Sequence, residues 1–265
     1  MSSNSPNNTV QDLVVTDVPE VRLCVEDYIE EYNFITKVIE NSGTNSNWYN
    51  FMNHGYYPPY SFLDKSLVLK NSASLYLNIL ENIDTDNKKL LDVGCGRGGG
   101  VQTYNKYLNL KSIDACDINP VSINYCKQNQ PNINFKLCNA EVLDYQDSTF
   151  DIVTNVESSY YYTDINKFFK EVRRVLSPTG TFCYTDILVN SEIHRNNILP
   201  QSNLFSEVET RDITENVLEA CHDLLKNSLH NFDEPLRKWL LKTIHRKAFY
   251  YEKKRISFKI HICHV

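Results

Sequence analysis

The chain has 265 residues, 42% of them hydrophobic, a formal charge of −6 and a pI near 5.7. That supplies one core-bearing domain, with or without a lid, and the acidic balance argues against a protein that coats nucleic-acid phosphates. No run approaches the roughly 18 apolar residues of a membrane span, and eight cysteines without a C-x-x-C pair read as reduced thiols of a cytoplasmic protein, not as a disulfide framework.

Residues 1–20 are polar, lack the charged-then-apolar pattern of a leader and read as a disordered tail. Residues 25–42 repeat apolar side chains at helical spacing. "NWYNFMNHGYYPPY" (47–60) follows, dense in aromatics, and 66–80 again read as helix. Together these form an N-terminal helical cover, residues 21–85. From residue 88 the rhythm changes. "KKLLDVG", "SIDACDI", "NINFKLCNAE", "FDIVTNVES" and "GTFCYTDILV" are short apolar runs of strand length, alternating with helical segments such as "VSINYCKQNQ" and "INKFFKEVRRVL". This alternation over 86–190 predicts a parallel sheet covered by helices on both faces. "FSEVETRDIT" (205–214) predicts a further strand, residues 214–253 a set of lid helices, and 254–265 a closing strand with alternating apolar residues. His261, Cys263 and His264 belong to that strand and make no tetrahedral ligand set, so no metal is expected. The reading is one domain over 21–265.

Five of the eight glycines fall between positions 94 and 100, in "LLDVGCGRGGG", where the first strand feeds a helix. A backbone that bare suits a nucleotide-containing ligand beyond the strand's carboxyl end. Gly94, Gly96 and Gly99 satisfy the dinucleotide pattern G-x-G-x-x-G. The same stretch also reads Asp-x-Gly-x-Gly-x-Gly from Asp92 through Gly94, Gly96 and Gly98. The two readings differ in charge: a pyrophosphate gains nothing from the Asp92 carboxylate, whereas a ligand with an ammonium group does. Gly99 and Gly100 read as slack at the helix entry.

The second reading resembles motif I of the class I S-adenosylmethionine-dependent methyltransferases, and further segments resemble that family in order. The resemblance implies that Asp117, ending "IDACD" before Ile118, meets the two ribose hydroxyls, as it would for NAD. It places Ala140 and Glu141 of "NAEVLDY" beside the adenine, and Asn155 and Val156 near the cofactor, with Cys95 in the loop. "FKEVRRVLSPTGTFCYTDIL" matches the family's helix, Pro-x-Gly turn (Pro178, Gly180) and fifth strand. "FMNHGYYPP", with Asn53 and Tyr56, resembles an aromatic segment that closes over the cofactor. The implied fold is α/β, a Rossmann-like sheet, mostly parallel with its last strand antiparallel. N-terminal helices and a lid inserted before the last strand complete it. The implied cofactor is S-adenosylmethionine, with S-adenosylhomocysteine as product.

The fourth-strand segment lacks the Asn/Asp-Pro-Pro-Tyr tetrapeptide of many nucleic-acid and protein methyltransferases. It resembles the small-molecule branch, phthiotriolone and polyketide-lipid or sterol and tocopherol types, with Glu157, Ser158 and Ser159 in place and Tyr160 or Tyr161 where a histidine is common. The expected activity is methyl transfer to an oxygen of a hydrophobic or aromatic small molecule. N- or C-methylation, an NAD-dependent oxidoreductase and a non-catalytic cofactor binder are the alternatives. His54 and Glu157 are the candidate bases. Their plain alternatives are a cap on the aromatic turn and a hold on backbone amides. Tyr160, Tyr161 and Tyr57, with Tyr162, Tyr56 and Tyr60, are candidates to line an amphipathic acceptor pocket. The expected partner is the small-molecule acceptor, not nucleic acid, and a second copy of the chain stands as a candidate.

Overall fold

Leu90 and Leu91 are adjacent in β1 (Lys89–Val93), and both are fully buried in different apolar clusters. A strand buried on both faces needs cover on both. The computed structural model describes residues 29–30, 33–34, 36–38, 50–64, 67, 69–189, 199, 203–228, 234, 237–238, 241 and 256–265. The expected tail, most of the 25–42 helix and most of the lid beyond residue 228 lie outside them.

β1 pairs in parallel with β2 (Ser112–Asp117) and β4 (Phe150–Val156). β3 (Asn134–Leu137) extends the sheet beside β2, and β5 (Leu176–Val189) beside β4, both parallel. β7 (Ile256–His264) then runs antiparallel between β5 and β6 (Glu207–Asp212). The order β3-β2-β1-β4-β5-β7-β6 is the expected sheet with its antiparallel last strand, and 205–214 supplies its edge. The order in which successive strands are laid down reverses between the parallel β1 and β4, and a crevice opens at their carboxyl ends in such sheets. Pro178 and Gly180 fall within the bounds of β5: Leu176 pairs with Phe150 and Thr181 with Ile152, so the four residues between them bulge out of the ladder at a register shift.

Helices α1 (Lys70–Asn78), α2 (Gly99–Tyr107), α3 (Pro120–Asn129) and α5 (Thr214–Asp223) contribute Leu75, Tyr104, Ile123 and Val217 to the cluster that holds Leu90 and Phe258. α4 (Ile165–Val175) covers Leu91, Val153 and Phe182. Its buried Ile165, Phe168, Phe169, Val172 and Val175 follow helical spacing, and Asp164 caps its first turn by accepting from the Lys167 amide. α3 starts on Asn119, whose side chain accepts from the Val121 amide, with Pro120 as first helical residue. Among the described residues no helix is long and apolar enough to cross a membrane. The seven described cysteines are buried thiols that form no disulfide with one another, and Cys138 falls just after β3.

One expectation is corrected. Gly99 and Gly100 are not slack, because α2 packs against the aromatic segment and α1 through them. A Cβ on Gly99 would lie 2.6 Å from the Asn50 carbonyl oxygen, and one on Gly100 would lie 2.5 Å from a Tyr76 ring carbon. Alanine normally stabilises a helix by about 1 kcal/mol over glycine. Here Gly100→Ala is expected to destabilise the protein by about 1–3 kcal/mol through overpacking, read as a lowered urea midpoint. A midpoint raised or unchanged would show that Tyr76 yields freely.

Candidate active site

The β1–α2 turn is built by left-handed backbone. Gly94, Gly96 and Gly98 have φ of 73°, 52° and 80°, a region costly for residues with a Cβ. At Gly94 a Cβ would also strike the Ser158 hydroxyl. The turn is anchored to the end of β2. Gly94 and Cys95 amides donate to the Cys116 carbonyl at 2.8 and 3.0 Å, and the Gly96 amide donates to Asp117 Oδ2 at 2.8 Å. Asp117 Oδ1 accepts from the Asn119 amide, and the Asp117 carbonyl takes the Cys138 amide. Asp117, half-buried Ile118 and buried Ala140 thus gather where β2 and β3 end. Glu141 Oε1 accepts from the Thr163 and Asp164 amides at 2.7 and 3.2 Å, at the start of α4.

A cleft of about 350 Å³, open to solvent, lies between this turn, the aromatic segment and the end of β4. It is lined by Asn50, Met52, Asn53, Tyr76, Gly94, Cys95, Gly96, Arg97, Val156, Glu157 and Ser158. Around it stand buried oxygens with no hydrogen-bond partner: Asp92 Oδ2, Asn155 Oδ1 and Asn53 Oδ1. Both amides are oriented by their nitrogens, Asn155 donating to the Val93 carbonyl and Asn53 to the Ser72 carbonyl. Unmet buried acceptors are costly, and a set of them suits a cationic ligand with N–H donors. This donor chemistry fits the ammonium-bearing end of S-adenosylmethionine.

His54 and Glu157, far apart in sequence, are brought together. The His54 backbone N–H donates to Glu157 Oε1 at 2.7 Å, and its ring Nδ1 meets Oε2. Both side chains are about 95% buried, with 5% and 4% exposed. Glu157 holds this position at φ 48°, left-handed for a residue with a Cβ, a strain of about 1–3 kcal/mol that is common at functional sites. The aromatic segment carrying His54 is fixed on both sides. The Tyr56 amide donates to the Asn71 carbonyl of α1, while Tyr57 exchanges bonds with Asn216 of α5.

The tyrosine run divides. The Tyr162 hydroxyl is held by Asn155 and Ser158, and its ring packs edge-on to Phe168. Tyr60 is likewise drawn away, to Asn78 and a stack on Phe62. Tyr161 is buried, with Tyr160 beside it at 4.1 Å between ring centroids. The Tyr160 amide and the Ser159 hydroxyl both donate to Asp186 Oδ2. Burial holds the Tyr160 phenol well above its ordinary range, with the Tyr161 and Glu157 charges adding to it.

Residues 91–184 match the family model described as a methyltransferase domain. Over those residues the chain is similar to the methyltransferase domain family. It is 35% identical over 149 residues to a probable phthiotriol/phenolphthiotriol dimycocerosates methyltransferase 2 of Mycobacterium ulcerans, covering 56% of this chain and 58% of that one. It is 37% identical over 142 residues to a fatty-acid O-methyltransferase of Mycolicibacterium smegmatis, covering 51% and 52%. The match therefore spans little more than half the length of either relative. The crystal structure of the cyclase SpnF superposes with a TM-score of 0.66 at 14% identity, over 91% of this chain and 96% of that one, a likeness of fold.

Sequence patterns did not mark Arg97, Asn50, Met52, Tyr76 and Ser158 as cleft residues. Arg97 and Ser158 lie inside the quoted motifs and were legible there. Tyr76 reads as helix core, and only packing turns it toward the turn. Asp92 is legible as an acid but not in its state. Burial pushes its carboxyl up to about 7, against the Thr154 hydroxyl, which lowers it, and with the Asp117 charge. The folded protein therefore holds this proton more tightly than the unfolded chain, whose value is near about 4. Stability from this group falls as pH rises from about 4 to about 7. Without ligand, wild-type Tm is expected to drop relative to Asp92→Asn across that range. Parallel pH profiles would refute it.

Proposed function

We propose that the protein transfers a methyl group from S-adenosylmethionine to an oxygen of a hydrophobic small molecule. The observation that supports this best is the His54–Glu157 pair, whose Glu157 lines the same cleft as the glycine turn and Asn53, the residue with an unpartnered oxygen. When bound, the cofactor supplies an already activated sulfonium methyl. The backbone of Gly94, Cys95, Gly96 and Gly98 would hold it, with Asp92, Asn53, Asn155, Val156 and Tyr56 along its charged end. Asp117, Ile118, Ala140 and Glu141 would take the nucleoside end. Tyr57, Tyr160 and Tyr161 would border the acceptor.

A carboxylate accepts hydrogen bonds only, so Glu157 fixes the proton of a neutral His54 on Nδ1 and leaves Nε2 as the basic nitrogen. His54 is then the base for an acceptor hydroxyl, and Glu157 orients its ring and stabilises the imidazolium. The named relatives, a phthiotriol and a fatty-acid methyltransferase, favour a lipid-like acceptor. The N- or C-methylation alternative gives the pair no hydroxyl proton to remove. SpnF shares the fold but is titled a cyclase, so the fold alone does not decide the reaction.

Calorimetry is expected to show S-adenosylhomocysteine binding and no NAD binding, with Asp117→Ala weakening the former at least about tenfold through the lost charge-assisted bonds. His54→Gln should lower kcat about 100-fold or more while S-adenosylhomocysteine affinity stays within a few-fold. NAD binding in its place would refute the cofactor assignment, and an unchanged kcat the base.

A further inference from the structure

The acceptor's ionisation state follows from the same pair of residues. We propose that the acceptor is a neutral alcohol or phenol that brings its proton into the site, and that carboxylate acceptors are rejected; this rests on the methyltransferase reading above. The two curated relatives divide on this point, one named for a phthiotriol and the other for a fatty acid.

The first argument is chemical. A hydroxyl oxygen forms the new O–C bond as the sulfonium–methyl bond breaks with its electron pair left on sulfur, and the hydroxyl proton passes to His54. A carboxylate is ionised near neutrality and already nucleophilic. Its methylation releases no proton, so a buried base held in one orientation would serve nothing. Here Glu157 adopts a left-handed backbone to hold that base by both its amide and its ring.

The second argument is electrostatic. Glu157 lines the cleft, and Asp186 lies buried under the adjoining loop, where it accepts from the Tyr160 amide. Asp92 and Asp117 are buried beside the glycine turn. Among the described lining residues the one arginine or lysine is Arg97. Its guanidinium is stacked 3.8 Å over the Tyr125 ring and donates to the Thr36 hydroxyl at 2.7 Å. The charge that would receive a fatty-acid carboxylate is thus committed on the α3 side, away from His54. An alkylammonium acceptor meets a different obstacle: its nitrogen has no lone pair to attack the methyl until it loses a proton, and the Glu157 charge beside His54 favours keeping it.

The test uses the full chain saturated with S-adenosylhomocysteine and four probes of equal chain length: a long-chain alcohol, an alkylphenol, the fatty acid and the alkylamine. The alcohol or the phenol is expected to bind on the order of 100-fold tighter than the fatty acid, the scale of an uncompensated like-charge contact. Glu157→Gln should narrow that gap at least about tenfold, since it removes the charge and keeps the shape. The wild-type comparison stands alone if the variant does not fold. Equal or tighter binding of the fatty acid, preference for the amine, or no binding of either hydroxyl probe to the saturated protein overturns the proposal. Failure to bind S-adenosylhomocysteine at all overturns the cofactor reading instead.

Discussion

Glu157 accepts from both the amide and the ring of His54, and this clasp joins parts of the chain that share no local structure. One end is the aromatic segment, held to α1 and α5 by Asn71 and Asn216. The other is the carboxyl end of β4, where the Glu157 amide donates to the Thr185 carbonyl of β5. Breaking either partner would leave a buried group without its complement, which is worse than removing both. The cleft's shape therefore depends on a contact that helps little with folding by itself and much with geometry.

A second constraint is the close approach of backbone around the glycine turn. Gly94 leaves room for Ser158, Gly99 for the Asn50 carbonyl and Gly100 for Tyr76. These contacts bring the ends of β1 and β4 and the aromatic segment to one place. They also exclude water from Asp92, which is why its carboxyl holds a proton so far above the ordinary range. Unpartnered acceptors at Asp92, Asn155 and Asn53 cost stability in the empty protein. A cationic ligand would return it as binding energy, a usual exchange between stability and function at a site.

The tyrosines show how residue type underdetermines use. Tyr160 and Tyr162 are two positions apart, yet the Tyr160 amide rests on Asp186 while the Tyr162 hydroxyl braces Asn155 and Ser158. Their segment begins with a short helical turn, Ser159–Tyr161, which points neighbouring side chains in different directions. Glu141, read beside the adenine, has one carboxylate oxygen engaged at the start of α4. The composition of a loop suggests chemistry, and its backbone path assigns it.

The alternation of strands and helices, the Asp-x-Gly-x-Gly-x-Gly turn and the acid ending β2 were legible in the residues, because each rests on local periodicity or on backbone freedom that few residues supply; the antiparallel sense of the last strand was implied only by the family resemblance. His54 and Glu157 were legible as separate candidates. Their pairing was not, since 103 positions separate them and nothing local records which distant segments a sheet will bring together. The same holds for Gly99 and Gly100, whose role depends on Asn50 and Tyr76, and for the raised Asp92, whose state depends on burial. Local sequence determined which elements form and which groups are available. Tertiary packing decided which of those groups meet, which lose water, and so which have altered chemistry.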